Sequence, residues 1–123
     1  MSRSFLFVPA DSERKLAKAG SAGADALILD LEDAVAPAAK PQARQLAADF
    51  LRGKADVWVR VNPVDSEYWE ADLDAVMPAA PAGIMLPKPR HARDALTLSA
   101  RLDELEDRHG IERGRTRIIA LCT

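Results

Sequence analysis

The stretch Leu27-Ile-Leu-Asp-Leu-Glu-Asp-Ala-Val35 brings three carboxylates, Asp30, Glu32 and Asp33, to the point where an apolar run ends. Two further apolar runs finish in charge: Val57-Trp-Val-Arg-Val-Asn-Pro63 delivers Arg60, and Ile84-Met-Leu-Pro-Lys-Pro89 delivers Lys88. Hard oxygen donors at this density suit Mg²⁺, bound directly or through the waters it retains. A guanidinium in the same place suits bidentate capture of a carboxylate. Gathered at the ends of successive strands, these charges are the parts of an active-site rim.

Each residue also has a plainer reading. A buried Arg60 is costly without partners, so it either pairs with Asp30 and Glu32 as a structural ion pair or waits for an anionic substrate. The acidic group either serves Mg²⁺, or Asp33 caps the turn leaving the strand while Glu32 pairs with Arg60. Lys88, held between Pro87 and Pro89, is an anion contact for substrate, a salt-bridge donor or, least favoured because no apolar pocket lowers its pKa, a Schiff-base lysine. His91 and His109 stand at the two ends of a helical segment, not at a metal-binding spacing, and read as solvated. Arg14, Lys15, Lys18, Lys40 and Arg44 read as wet helix faces, those near the top loops being within reach of a cofactor phosphate.

The elements that position these residues follow from periodicity. Phe5 to Ala10 reads as a strand, and Asp11 or Ser12 caps a helix through Glu13 to Gly20. Ala24 to Glu32 is the second strand, and Pro37 to Leu51 the second helix, with Pro41 in its first turn, where a missing N–H is tolerated. Asp56 to Asn62, Glu67 to Met77, Gly83 to Lys88 and Arg90 to His109 continue the alternation, and Arg117 to Cys122 is a fifth strand. Leu98, Leu102 and Leu105 give the fourth helix its apolar side. Alternation with short connections means parallel strands joined by crossover helices.

Residues alternate faces along a strand. Ala26, Ile28, Asp30 and Glu32 share one face, as do Trp58, Arg60 and Asn62, and Ile84, Leu86 and Lys88. The opposite faces, Leu27-Leu29-Leu31 and Val57-Val59-Val61, are purely aliphatic. One face therefore packs on helices while the other turns polar towards the strand ends, which is the asymmetry of a barrel. A sheet covered on both sides would be aliphatic on both, and neither the dinucleotide turn nor the Walker loop follows the first strand. The expectation is an α/β fold, the N-terminal half of a TIM (β/α)8 barrel with four βα units and a fifth strand, as one domain over residues 1–123 without an internal boundary.

Bulk properties narrow the partners. With 123 residues, 48% of them hydrophobic, the chain can build one core. A net charge of −2 argues against a nucleic acid, since phosphate-backbone binding needs a basic surface. The one cysteine, Cys122, excludes an intramolecular disulfide and a Cys-rich metal site, and reads as a small core residue. The apolar run before Pro9 is too short for a signal peptide and no stretch approaches membrane-spanning length, so a cytoplasmic protein without a membrane partner is expected.

With Ser4-Phe-Leu-Phe-Val-Pro9, Gly23-Ala-Asp-Ala-Leu-Ile-Leu-Asp-Leu-Glu-Asp-Ala-Val-Ala-Pro37, Val59-Arg-Val-Asn62 and Leu86-Pro-Lys88 in this order, the chain resembles the citrate lyase β-subunit-like family of the HpcH/HpaI aldolase superfamily. The resemblance covers essentially the whole chain. It implies a TIM barrel in a homo-oligomer, usually trimeric or hexameric, and Mg²⁺-dependent, reversible aldol or Claisen-type cleavage of a CoA or acyl-carrier thioester into a small oxo acid and a shorter acyl thioester.

By the same resemblance, Arg60 matches the arginine that holds the substrate carboxylate or stabilises enolate charge, and Glu32 and Asp33 match the acidic pair that orients metal-bound water. The family's direct metal ligands, a Glu after the fifth strand and an Asp after the sixth, are expected beyond Thr123. The 123 residues alone are therefore expected to be inactive and the full-length protein to be a lyase. A class II pyruvate-type aldolase acting on free acids is the enzymatic alternative. A truncated scaffold subunit that completes a barrel with a partner chain is the non-enzymatic one.

Overall fold

The computed structural model describes residues 5–20, 26–32, 35–52, 54, 56–87 and 93–120. Strand β1, Phe5–Pro9, leads into helix α1, Glu13–Gly20, whose first turn is capped by Ser12: its Oγ accepts the Lys15 N–H at 3.2 Å. Strand β2, Ala26–Asp30, is followed by a 3₁₀ turn, Pro37–Ala39, and helix α2, Lys40–Leu51, with Pro41 in the first turn as expected. Strand β3, Val57–Arg60, precedes helix α3, Trp69–Val76, which tightens into a 3₁₀ turn over Met77–Ala79. Strand β4, Gly83–Leu86, helix α4, Arg93–Arg108, and strand β5, Arg117–Ala120, complete the order.

All strand pairings are parallel, and the sheet runs β1-β2-β3-β4-β5. Consecutive order is informative because crossovers share one hand. A chain that always steps the same way across its sheet lays every helix on the same face, whereas a doubly wound sheet reverses direction at a switch point. The consequence is visible in the core. Leu27, Leu29 and Leu31 of the β2 region and Val57, Val59 and Val61 of the β3 region pack with Leu16 of α1, Ala43 and Ala47 of α2, Leu73 and Val76 of α3, and Leu98 and Leu102 of α4. Burying such side chains contributes on the order of 1.5–3 kcal/mol each, so this layer holds the helices on the sheet.

Among the described residues, the helices pack on that face and none on the opposite one. Register places Phe7, Ile28, Trp58, Gly83 and Arg117 in one row across it, and Pro9, Asp30, Arg60, Met85 and Ile119 in the next. Phe7 remains 46% exposed there. Trp58 lies over Gly83 so closely that a Cβ on Gly83 would clash with the indole atoms Cζ3 and Cε3.

The structure corrects the sequence-based expectation in several places. Ile84 and Leu86 belong to the helix-side core, because Val59 pairs with Ile84 and Arg60 with Met85; Gly83 and Met85 are the residues that share the face of Arg60. Pairing in β2 and β3 stops at Asp30 and Arg60, short of Glu32 and Asn62; the expected end of the fourth strand at Lys88 lies outside the described residues. Asn62 leaves the sheet because its N–H and side-chain amide are both taken by Asp72 of α3. Helix α3 starts at Trp69, not Glu67. The expected strand and helix ends at residues 24–25, 90–92 and 121–122 lie outside the described residues.

Candidate functional site

Asp30 and Arg60 are the last residues of β2 and β3 and are direct partners in the parallel register. Both point to the open face, where they meet side-on. Arg60 Nε donates to Asp30 Oδ1 at 2.9 Å and Nη2 donates to Oδ2 at 2.7 Å, a two-pronged pair. Asp30 is 2% exposed and the Arg60 side chain 17%, so the pair is sunk into the rim with the guanidinium nearer the opening. The Phe7 ring lies 5.3 Å from Arg60 Cζ, within cation–π range. A guanidinium has five N–H donors, and the pair with Asp30 engages two of them.

Glu32 follows immediately. Its N–H donates to Asp30 Oδ1 at 2.9 Å, and its Oε1 stands 3.9 Å from Arg60 Nε, with 19% of the side chain exposed. Between the two described carboxylates, Asp30 is thus the closer partner of Arg60 and Glu32 the more distant one. This division has a cause in the register: residue 30 sits directly opposite residue 60, while residue 32 lies beyond the last ladder pair. Asp33, Lys88, His91 and Cys122 lie outside the described residues. His109 is exposed and so are Arg14, Lys15 and Lys18, as the sequence implied.

Two cations expected in solvent are not there. Lys40 is 5% exposed, and its ammonium donates to Leu31 O at 2.9 Å, Glu32 O at 3.2 Å and Asn62 Oδ1 at 2.9 Å, with the Tyr68 ring centroid 5.1 Å away. The Tyr68 phenol keeps its proton above the usual range, through a hydrogen bond with Glu67 and then burial. Asn62 Nδ2 donates to Asp72 Oδ2 at 2.6 Å and to Leu31 O at 3.0 Å. Arg44 Nε closes the chain on Asp72 Oδ1 at 2.8 Å. Lys40, Asn62, Asp72 and Arg44 therefore form a buried polar network between α2, α3 and the end of the sheet.

This network was legible in one respect. The buried stripe of α2 runs Lys40, Ala43, Ala47, Leu51, so Lys40 falls in phase with the apolar positions, as Asp72 does among Trp69, Leu73 and Val76. A charge in phase with a core stripe is the signal of a partnered interior ion.

Among the described residues no group of three or more His, Cys, Asp or Glu side chains gathers to hold a metal ion. The donor chemistry of the rim still suits magnesium at one position. Mg²⁺ keeps several waters and prefers oxygen partners, and the Glu32 carboxylate is an oxygen donor at the edge of the open face. Both Asp30 oxygens accept from Arg60, and Oδ1 accepts the Glu32 N–H as well.

A one-way parallel sheet with helices on one face and charge at the carboxyl ends of its strands is the N-terminal half of a (β/α)8 barrel, built as active-site barrels are. The chain belongs to the HpcH/HpaI aldolase/citrate lyase family, whose model matches residues 3–122. It is 37% identical over 122 residues to citrate lyase subunit beta of Haemophilus influenzae, covering 96% of this chain and 42% of that protein. It is 41% identical over 107 residues to a (3S)-malyl-CoA thioesterase of Cereibacter sphaeroides, covering 84% of this chain and 38% of that one. The solved CitE of Mycobacterium tuberculosis, in complex with magnesium, acetoacetate and coenzyme A, superposes with a TM-score of 0.68 at 35% identity, over 97% of this chain and 39% of that chain. The chain thus spans about two fifths of the length of the curated relatives it matches, 42% and 38%. No helix among the described residues is long and apolar enough to cross a membrane.

Proposed function

We propose that this chain provides the substrate-arginine half of the active site of a magnesium-dependent carbon–carbon lyase, which cleaves a CoA or acyl-carrier thioester into a small oxo acid and a shorter acyl thioester. The observation that carries the reading is the Asp30–Arg60 pair, set at the strand ends of the open sheet face in a chain of the lyase family. Arg60 is the catalytic and substrate-binding cation: its fork, held side-on by Asp30, meets the substrate carboxylate with the outer edge of the guanidinium and opposes enolate charge as the carbon–carbon bond breaks. Asp30 fixes that fork, so its orientation is set before substrate arrives. Bound Mg²⁺ supplies Lewis-acid polarisation of the oxo-acid carbonyl. Glu32 and Asp33 orient water on the metal, a role that tunes rather than makes the metal site. Lys88 is a second anion contact for the substrate. The protein acts in the cytoplasm as a homo-oligomer, trimeric or hexameric.

A thioesterase reading is favoured by one observation, the 41% identity to a malyl-CoA thioesterase. The two differ in which bond breaks. The test is to incubate the protein carrying this chain with citryl-CoA and with malyl-CoA, with and without Mg²⁺, and to resolve the products. Appearance of an oxo acid with a shorter acyl-CoA supports the lyase. Free CoA with the intact hydroxy acid identifies hydrolysis, and turnover of neither thioester, together with cleavage of a free oxo acid, points to the class II aldolase.

A further inference from the structure

We infer that Lys40 is a positioning residue for the carboxylate turn at the end of β2, and that it sets where Glu32 can hold metal-bound water. Its role toward the metal rests on the magnesium-dependent reading of the rim. An ammonium has three N–H donors and no acceptor. Lys40 directs all of them at fixed partners: the carbonyls of Leu31 and Glu32, at 2.9 and 3.2 Å, and Asn62 Oδ1 at 2.9 Å. Two of these three acceptors are consecutive main-chain groups, and they belong to the segment that carries Glu32 off the sheet.

The peptide groups of Glu32 are consequently held from opposite sides. Its N–H is bonded to Asp30, which is itself bonded to Arg60 on the open face. Its carbonyl is bonded to Lys40, which arrives from α2. Removal of either anchor lets the turn rotate about the other. A lysine suits this task better than an arginine, since a compact ammonium can meet three converging oxygens while a planar fork cannot.

A structural role alone would also require a buried cation here, so the far end of the network provides the control. Arg44 bonds Asp72 but not the Leu31 or Glu32 carbonyls. Magnesium affinity of the protein carrying this chain, measured by isothermal titration calorimetry, is expected to fall by up to about tenfold in Lys40→Met, the lower end of what losing a group that orients metal ligands costs, because Lys40 acts on Glu32, which meets the metal through water. Arg44→Gln is expected to lower the melting temperature and leave the affinity unchanged. A second measurement does not depend on a variant folding: in ¹⁵N-lysine-labelled wild-type protein the exchange-protected Lys40 ammonium signal should shift on titration with MgCl₂, saturating with the calorimetric affinity. An unchanged affinity in Lys40→Met, a parallel loss in both variants, or a Lys40 signal that stays still while Mg²⁺ binds overturns the inference. Absence of Mg²⁺ binding by the wild-type protein instead defeats the magnesium reading itself, and Lys40's role toward the metal with it.

Discussion

Two charged clusters among the described residues, one on the open sheet face and one between the helices and the end of the sheet, are built on opposite plans. On the open face Asp30 and Arg60 form a short pair between adjacent strands, with a partly exposed guanidinium. Under the helices Lys40, Asn62, Asp72 and Arg44 bond one another and the strand-end carbonyls, and Asp72 is fully buried. The first cluster keeps a cation near solvent, where an anion can reach it. The second lies between secondary-structure elements and serves to fix main chain. Exposure does not separate the two, since the Arg60 side chain is 17% exposed and that of Arg44 16%. Position does: the first pair stands on the open sheet face, and the second set bonds main chain between α2, α3 and the end of the sheet.

The comparison is broken most forcefully at Asp72. Asp72→Ala leaves Arg44 and the Asn62 amides without their acceptor, and loss of one partner from a buried charged network typically costs about 3–5 kcal/mol. Urea titration should show that loss, while turnover per folded molecule stays near wild type. Arg60→Lys should do the reverse: charge is retained, the fork is lost, and kcat is expected to drop roughly 10²–10³-fold with the urea midpoint little changed. Equal effects of the two variants on both readouts would erase the distinction between the clusters.

A further buried charge sharpens it. Glu106 of α4 accepts the N–H groups of Gly114 and Thr116, each at 2.9 Å, and so ties the approach to β5. Burial alone would raise its pKa, but the Thr116 and Gly114 hydrogen bonds outweigh it and hold the carboxyl below the usual range. Its folded-state pKa lies below the unfolded one, so its contribution is complete above the ordinary carboxylate pKa of about 4.3 and is lost as pH falls through the folded value. Glu106→Gln should cost about 1–3 kcal/mol at neutral pH, and that difference should shrink in acid when thermal melts are compared across pH. The smallest effect is expected at Ala80, a non-glycine residue at φ 55° closing the 3₁₀ turn after α3. Ala80→Gly should stabilise the chain by about 1 kcal/mol, again read from urea midpoints, without touching either cluster.

Much of this was legible before any coordinates. The strand–helix alternation, the aliphatic helix-side faces of β2 and β3 and the pairing of Arg60 with Asp30 and Glu32 all follow from period and from where apolar runs end. Family resemblance added the identity of the barrel. What escaped was set by partners far away in sequence. The run Gly83-Ile-Met-Leu86 is buried throughout, so it has no polar alternation, and only its pairing with β3 shows that Ile84 faces the helices. Lys40 and Arg44 looked like wet helix positions because their acceptors, Asn62 and Asp72, lie 22 and 28 residues on.

The direct opposition of Asp30 and Arg60 also bears on how the chain finds its structure. Aliphatic faces such as Leu27-Leu29 against Val57-Val59 offer little to distinguish this alignment from one displaced by two residues, which keeps the same faces buried. A slip of two residues, however, would set Arg60 opposite Ile28 or Asp30 opposite Trp58, parting the two charges at once. The pair therefore serves as a key for strand alignment during folding. The two positions should be free to vary only together, as a matched set of charges.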